Sequence, residues 1–234
     1  MSQPRPGGER IARSGAPSRR LLVCLILDRA LLRPRPEAPP VPAFRRLIAD
    51  TQAIDAVLLR LIEYAETAEL IADPAVPKAP PTPVELGGRR ADAGVSACQR
   101  SLGGALSLLN TALDRDALQR GDHAPDQYQP LVFILAGDPP DDDWEGPAFG
   151  VRTLAELKFL NVFGFAFGDT ENTLLRITPT VCRASGQSAF ADCLDWISRT
   201  VETTARLAPR ASERNKRIRA PSLPPTLRRV RSRG

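Results

Sequence analysis

The side chains able to do chemistry in this sequence are few and scattered. Asp28 closes the apolar run LLVCLIL (residues 21–27). An acid that leaves a buried strand at the C-terminal edge of an open α/β sheet is placed to ligate a metal. The residues behind it, Arg29, Ala30, Leu31 and Leu32, offer no side-chain oxygen. Ser96, Ser101 and His123 are the raw material of a hydrolase. There is no G-x-S-x-G turn to raise a nucleophile, however, and His123 sits in the polar stretch QRGDHAPDQYQ. One histidine is also too few for a His-based metal centre. The segment DPPDDDWEG (138–146) sets three acids in succession. A calcium loop alternates its ligands and ends on a bidentate glutamate, so this segment reads as a solvated acidic turn anchored by Trp144. Neither GERIARSG nor ELGGRRADAG has the G-x-x-x-x-G-K-S/T form of a phosphate loop. No catalysis, cofactor or bound metal is expected.

The elements that must hold these residues follow from apolar period and punctuation. LLVCLIL, PLVFILAG (130–137) and VFGFAFG (162–168) are continuous apolar runs, as in strands covered on both faces. Residues 55–73 are compatible with one long helix but read better as two strands, Val57–Tyr64 and Ala68–Ala72, turning near Glu66–Thr67, and 180–184 reads as a further short strand. Helical stripes are expected over 43–54, 101–118, 151–161, 170–178 and 188–207, the last with Phe190, Leu194, Ile197 and Val201 on its core face. The pair Gly103–Gly104 implies close packing on the first turn of its helix. The Pro-rich stretches 33–42 and 74–94 read as loops. Strands alternating with helices give a doubly wound, mostly parallel α/β sheet with one antiparallel edge strand and helices on both faces.

Composition bounds the rest. The chain has 234 residues, 42% of them hydrophobic and only 5% aromatic, enough for one domain with an aliphatic core. Cys24, Cys98, Cys182 and Cys193 have no C-x-x-C spacing, and Cys24 and Cys193 read as buried thiols in a reducing compartment. The net charge of +5 is concentrated at the ends. Residues 1–19 read as a disordered basic arm, 20–207 as the domain and 208–234 as a basic, disordered tail. The apolar run after the first arm is too short for a signal sequence or a membrane span, so a cytoplasmic protein is expected.

Four stretches in order, RLLVCLILD, SLGGALSLL, QPLVFILAGDPPDDDW and NVFGFAFG, resemble the von Willebrand factor A-like domain, in particular the bacterial TerY-type group of tellurium-resistance operons. The resemblance covers about residues 20–205, and Pro130–Trp144 is its most specific part. It implies a Rossmann-like fold and a metal-ion-dependent adhesion site built from D-x-S-x-S, a threonine and a late aspartate. Against that pattern Asp28 is kept. The two serine positions fall on Ala30 and Leu32, the threonine position on Arg100 or Ser101, and the late aspartate on Gly137, with Asp138 beside it. The resemblance thus implies a degenerate site without magnesium, in which an Asp28–Arg100 ion pair replaces the cation. It also implies a non-enzymatic interaction or scaffold module of a bacterial stress-response or phage-defence system. Expected partners are an operon-encoded Ser/Thr kinase, a PP2C-type phosphatase or a defence effector. The alternative is a nucleic-acid-associated factor acting through the Arg-rich tail.

Overall fold

The computed structural model describes residues 20–33, 40–54, 56–73, 100–120, 129–207, 218 and 220–230. Its centre is a seven-stranded sheet in the order β3-β2-β1-β4-β5-β6-β7. The strands are β1 (Leu21–Asp28), β2 (Val57–Tyr64), β3 (Ala68–Ala72), β4 (Leu131–Ala136), β5 (Asn161–Ala166), β6 (Val181–Ala184) and β7 (Leu227–Arg229). The helices are α1 (Pro40–Gln52), α2 (Leu102–Arg120), α3 (Glu145–Glu156), α4 (Glu171–Ile177) and α5 (Ala189–Leu207). The five strands from β2 to β6 across the sheet run parallel, and both edges are antiparallel.

β1 shows why both faces are covered. Leu21, Val23, Leu25 and Leu27 enter one core with Phe44 of α1 and Leu194, Ile197 and Val201 of α5. Leu22, Cys24 and Ile26 enter a second core with Leu102, Leu106 and Leu109 of α2 and Val151 of α3. All eight residues of β1 are buried, which accounts for its unbroken apolar run. Cys24, Cys182 and Cys193 are buried free thiols. Among the described residues no helix is long and apolar enough to cross a membrane.

The hairpin 57–72 forms as read, with a register irregularity at Leu61/Ile62. Three expectations need correction. First, α1 begins at Pro40, inside the stretch read as loop. A first helical turn has no intrahelical use for its N–H groups, so proline is tolerated there. Second, α3 spans Glu145–Glu156 rather than 151–161. Glu145 and Pro147 suit a first turn for the same reason, with the acid facing the positive end of the helix. The helix stops because Lys158 adopts φ 61°. There the Phe159 N–H donates to Leu154 O (2.8 Å) and the Lys158 N–H to Ala155 O (3.0 Å), a left-handed C-terminal cap built on lysine in place of glycine. Third, the tail is not wholly free of the domain, because β7 pairs antiparallel with β6 and adds a second antiparallel edge. Leu227 is buried, Trp196 Nε1 donates to Pro221 O (3.0 Å), and Ile218 and Leu223 pack on the α1/α5 core. A three-residue strand between prolines and arginines carries too little apolar period to be seen in sequence. The arm 1–19, the loop 74–94, Ser96, Cys98 and His123 lie outside the described residues.

Candidate functional site

β1 and β4 are neighbours at the centre of the sheet, and the order of strands reverses between them. The C-terminal ends of two such strands diverge into a crevice, where doubly wound folds bind ligands. Asp28 ends β1 there, and Gly137 and Asp138 follow β4. Asp28 has no solvent exposure. Its Oδ1 accepts from the Ala30 N–H at 2.9 Å and lies 3.7 Å from Arg100 Nη1. Its Oδ2 accepts from the Gly137 and Asp138 N–H groups at 3.2 and 3.4 Å. Arg100 Nη2 reaches Asp138 Oδ2 at 2.7 Å. The guanidinium therefore stands between the two carboxylates, with its side chain 11% exposed and that of Asp138 58%.

Arg100 is put there by the start of α2. Its N–H donates to Asp141 Oδ1, and the Gly103 and Gly104 N–H groups both donate to the Asp142 carboxylate at 3.1 Å. An acid satisfying two otherwise unpaired N–H groups of a helix start is a cap supplied from another segment. It explains the glycine pair. A Cβ on Gly103 would meet Asp143 O at 2.4 Å and Asp142 Oδ2 at 2.9 Å. The stretch DPPDDDW is thus more than a solvated turn: Asp141 and Asp142 clamp the helix that carries Arg100. Trp144 does anchor it, half-buried against the α2/α3 core with the Arg176 guanidinium 5.2 Å from its ring centre.

The residues read from the sequence as site positions divide accordingly. Asp28, Arg100, Gly137 and Asp138 come together. Ala30 contributes only its backbone N–H. Leu32 is buried in the α1/α5 core, and Leu31 packs against Gly137. The Ser101 N–H donates to Ala65 O (2.8 Å), and its hydroxyl turns onto its own helix, where a Cβ on Gly104 would meet it at 2.4 Å.

Magnesium requires near-octahedral oxygen donors. Here Asp28 already receives three N–H groups, the neighbouring Ala30 and Leu32 offer no side-chain oxygen, and the Arg100 guanidinium stands between Asp28 and Asp138. This donor set does not fit the ion. Among the described residues no group of three or more His, Cys, Asp or Glu side chains is arranged to hold a metal.

Three features were missed in the sequence. Tyr64, the register partner of Asp28 on β2, is buried with no partner for its hydroxyl among the described residues. Burial, reinforced by Asp28 and opposed by Arg100, holds that phenol well above its ordinary pKa, so it stays neutral. Glu63 lies beside it on the strand, with Arg29 Nε at 3.4 Å from Oε2 and no partner for Oε1 among the described residues. Burial raises its carboxyl pKa, Arg29 opposes this and Glu69 adds to it. On the α2 face, Arg60 is wholly buried and donates to Asp116 at 2.9 and 3.1 Å and to Asp73 at 3.0 Å, while Arg115 also pairs with Asp73. The signal was an arginine inside VLLRLIEY, since a charge in a buried strand requires partners. Burial pushes the nearby Cys24 thiol up to about 12 despite Arg60. No thiolate nucleophile is available there at neutral pH.

The sequence matches no family model and no curated protein. Solved structures do match. The N-terminal domain of TFIIH p34 aligns with 13% identity over 77% of this chain and 97% of that domain, with a TM-score of 0.56. Proximal thread matrix protein 1 from the mussel byssus aligns with 10% identity and a TM-score of 0.53 over 79% of this chain and 48% of that one. A von Willebrand factor type A protein from Catenulispora acidiphila aligns with 13% identity and a TM-score of 0.51 over 79% and 43%. The chain thus spans about half the length of two of these proteins. What these likenesses show is the fold alone, which is of the von Willebrand factor A type. The mussel protein has also been solved with a zinc-occupied adhesion-site motif.

Proposed function

We propose that this chain is a non-enzymatic interaction or scaffold module that docks protein partners at the crevice between β1 and β4 without a bridging metal. The observation that supports it is Arg100 set between Asp28 and Asp138. In a metal-dependent adhesion site the ion keeps one position open for an acid of the partner. A guanidinium engaged by two internal carboxylates closes that position and fixes the crevice rim in one arrangement. Recognition then rests on the rim itself, where Asp138, Asp141 and Asp143 are exposed. In line with the TerY-type resemblance, the module belongs to a cytoplasmic bacterial stress-response or phage-defence system. Its partners there are an operon-encoded Ser/Thr kinase, a PP2C-type phosphatase or a defence effector.

The test is co-purification of the tagged full chain from its native host, with and without EDTA, alongside the rim variant Asp138→Ala/Asp143→Ala. One stoichiometric protein partner is expected, retained in EDTA and lost with the rim variant. A partner released by EDTA, or one retained by the rim variant, contradicts it.

A further inference from the structure

The β6–β7 edge carries an arrangement that the crevice does not use. Arg183 of β6 and Arg228 of β7 are direct register partners in an antiparallel pair, and both are exposed. Residues so opposed have β-carbons about 5 Å apart, and like charges there are destabilising. Arg183 is partly offset by Glu171 of α4 at 3.0 Å. Arg228 forms no ion pair with any described residue. Arg229 is exposed as well and points to the opposite face, across from Cys182. Residues 209–234 hold nine basic side chains against one acid in a chain of net charge +5, so the rest of the molecule is net negative. Among the described residues Arg183, Arg228 and Arg229 thus gather at the β6–β7 edge, at some cost to the strand pair that carries them.

We propose that the β7 edge is a sequence-independent binding surface for duplex nucleic acid, with Arg183 and Arg228 on one face and Arg229 on the other meeting backbone phosphates. β7 is the last strand of the sheet, and no described strand pairs with its outer side. Guanidiniums on both faces of an edge strand can reach charges on two sides of it, as the two phosphate rows bordering a groove present them. A flat anionic surface such as a membrane would meet one face only. The apolar residues between the arginines also turn inward: Leu227 is buried and Val230 packs on the α2/α3 core. They are not available for insertion into lipid. No aromatic side chain lies in 209–234 to stack on bases, so the contact is to phosphate and carries no sequence preference.

The experiment uses the full chain and a short, labelled, mixed-sequence DNA duplex, with anisotropy read over about 50–200 mM salt. Three proteins are compared: the parent, Arg228→Gln/Arg229→Gln, and Arg228→Lys/Arg229→Lys. The parent should bind with log K falling linearly in log salt. The glutamine pair should make that slope shallower by about 1.8, and the lysine pair should leave it unchanged, since each phosphate contact contributes about 0.9. The glutamine pair should melt no lower than the parent, because it removes the opposition between Arg228 and Arg183. If it does melt lower, Arg183→Gln takes its place and should reduce the slope by about 0.9. The proposal is overturned if the parent does not bind the duplex or if the charge-removing variant leaves the slope unchanged. It is equally overturned if polyglutamate, or phosphatidylserine vesicles at matched charge, displaces the duplex.

Discussion

At Asp28 three backbone N–H groups and one guanidinium converge on a carboxylate with no solvent exposure. A carboxylate buried to that degree is held by its partners, and removing the charged one leaves it uncompensated. Arg100→Gln is therefore expected to cost about 3 kcal/mol. Asp28→Asn combined with Arg100→Gln should cost at least about 1 kcal/mol less than the two single changes summed. Urea unfolding of the four proteins reads this directly, and additive costs would show that the two residues are not coupled. Glu63 gives a second test, through pH. Burial raises its carboxyl above its ordinary 4.5. The folded chain then keeps a proton that the unfolded chain has released, so this residue's contribution to stability falls as pH rises from 4.5 through the raised value. Glu63→Gln removes that titration. Its stability relative to the parent should improve as pH rises from about 4 to 7, as followed by melting temperature. A difference that is flat in pH would contradict the assignment. Asp28, Arg100 and Asp138 were legible because a known pattern could be laid over them. Tyr64 and Glu63 were not, because at the end of an apolar strand they look like ordinary alternation.

The elements were legible wherever period and punctuation agreed. β1, β4 and β5 are continuous apolar runs, and the hairpin 57–72 lies where it was read. The misses have one physical origin. The ends of α1 and α3 are decided by backbone groups that proline does not disturb in a first turn and by a lysine in left-handed conformation, and neither leaves an apolar signature. The start of α2 was legible in part: the glycine pair announced a close approach but not what approaches. Asp142 and the Asp143 carbonyl fill that role. Gly103→Ala puts a methyl carbon 2.4 Å from a backbone oxygen, so the acidic loop must move away from the helix. The expected cost is about 1–3 kcal/mol in urea unfolding. Hydrogen exchange should show faster exchange at the Gly104 amide, whose acceptor is displaced. A variant as stable as the parent would mean that the loop does not hold the helix.

At the scale of the molecule, the sheet is closed at one end by the chain's own C-terminal segment. Pro221 meets Trp196, Thr226 donates to Asp192 at 2.8 Å, and the Val230 N–H donates to Val181 O at 2.8 Å. Deleting 218–234 should cost at least about 2 kcal/mol through loss of the buried Leu227 alone. It should also uncover the β6 edge, so that Cys182 reacts faster with a thiol reagent. An unchanged melting temperature and unchanged thiol reactivity would mean that the segment is an appendage. The crevice is the part of the molecule on which the proposed metal-free docking depends, with Arg100 standing between Asp28 and Asp138. The most direct measurement is the melting temperature of the full chain in EDTA and across a magnesium series into the millimolar range. A native-state ligand at one hundred times its dissociation constant adds about 2.7 kcal/mol and moves the transition by several degrees. One melting temperature throughout is expected of a crevice without a metal; a rise of several degrees with magnesium would contradict this.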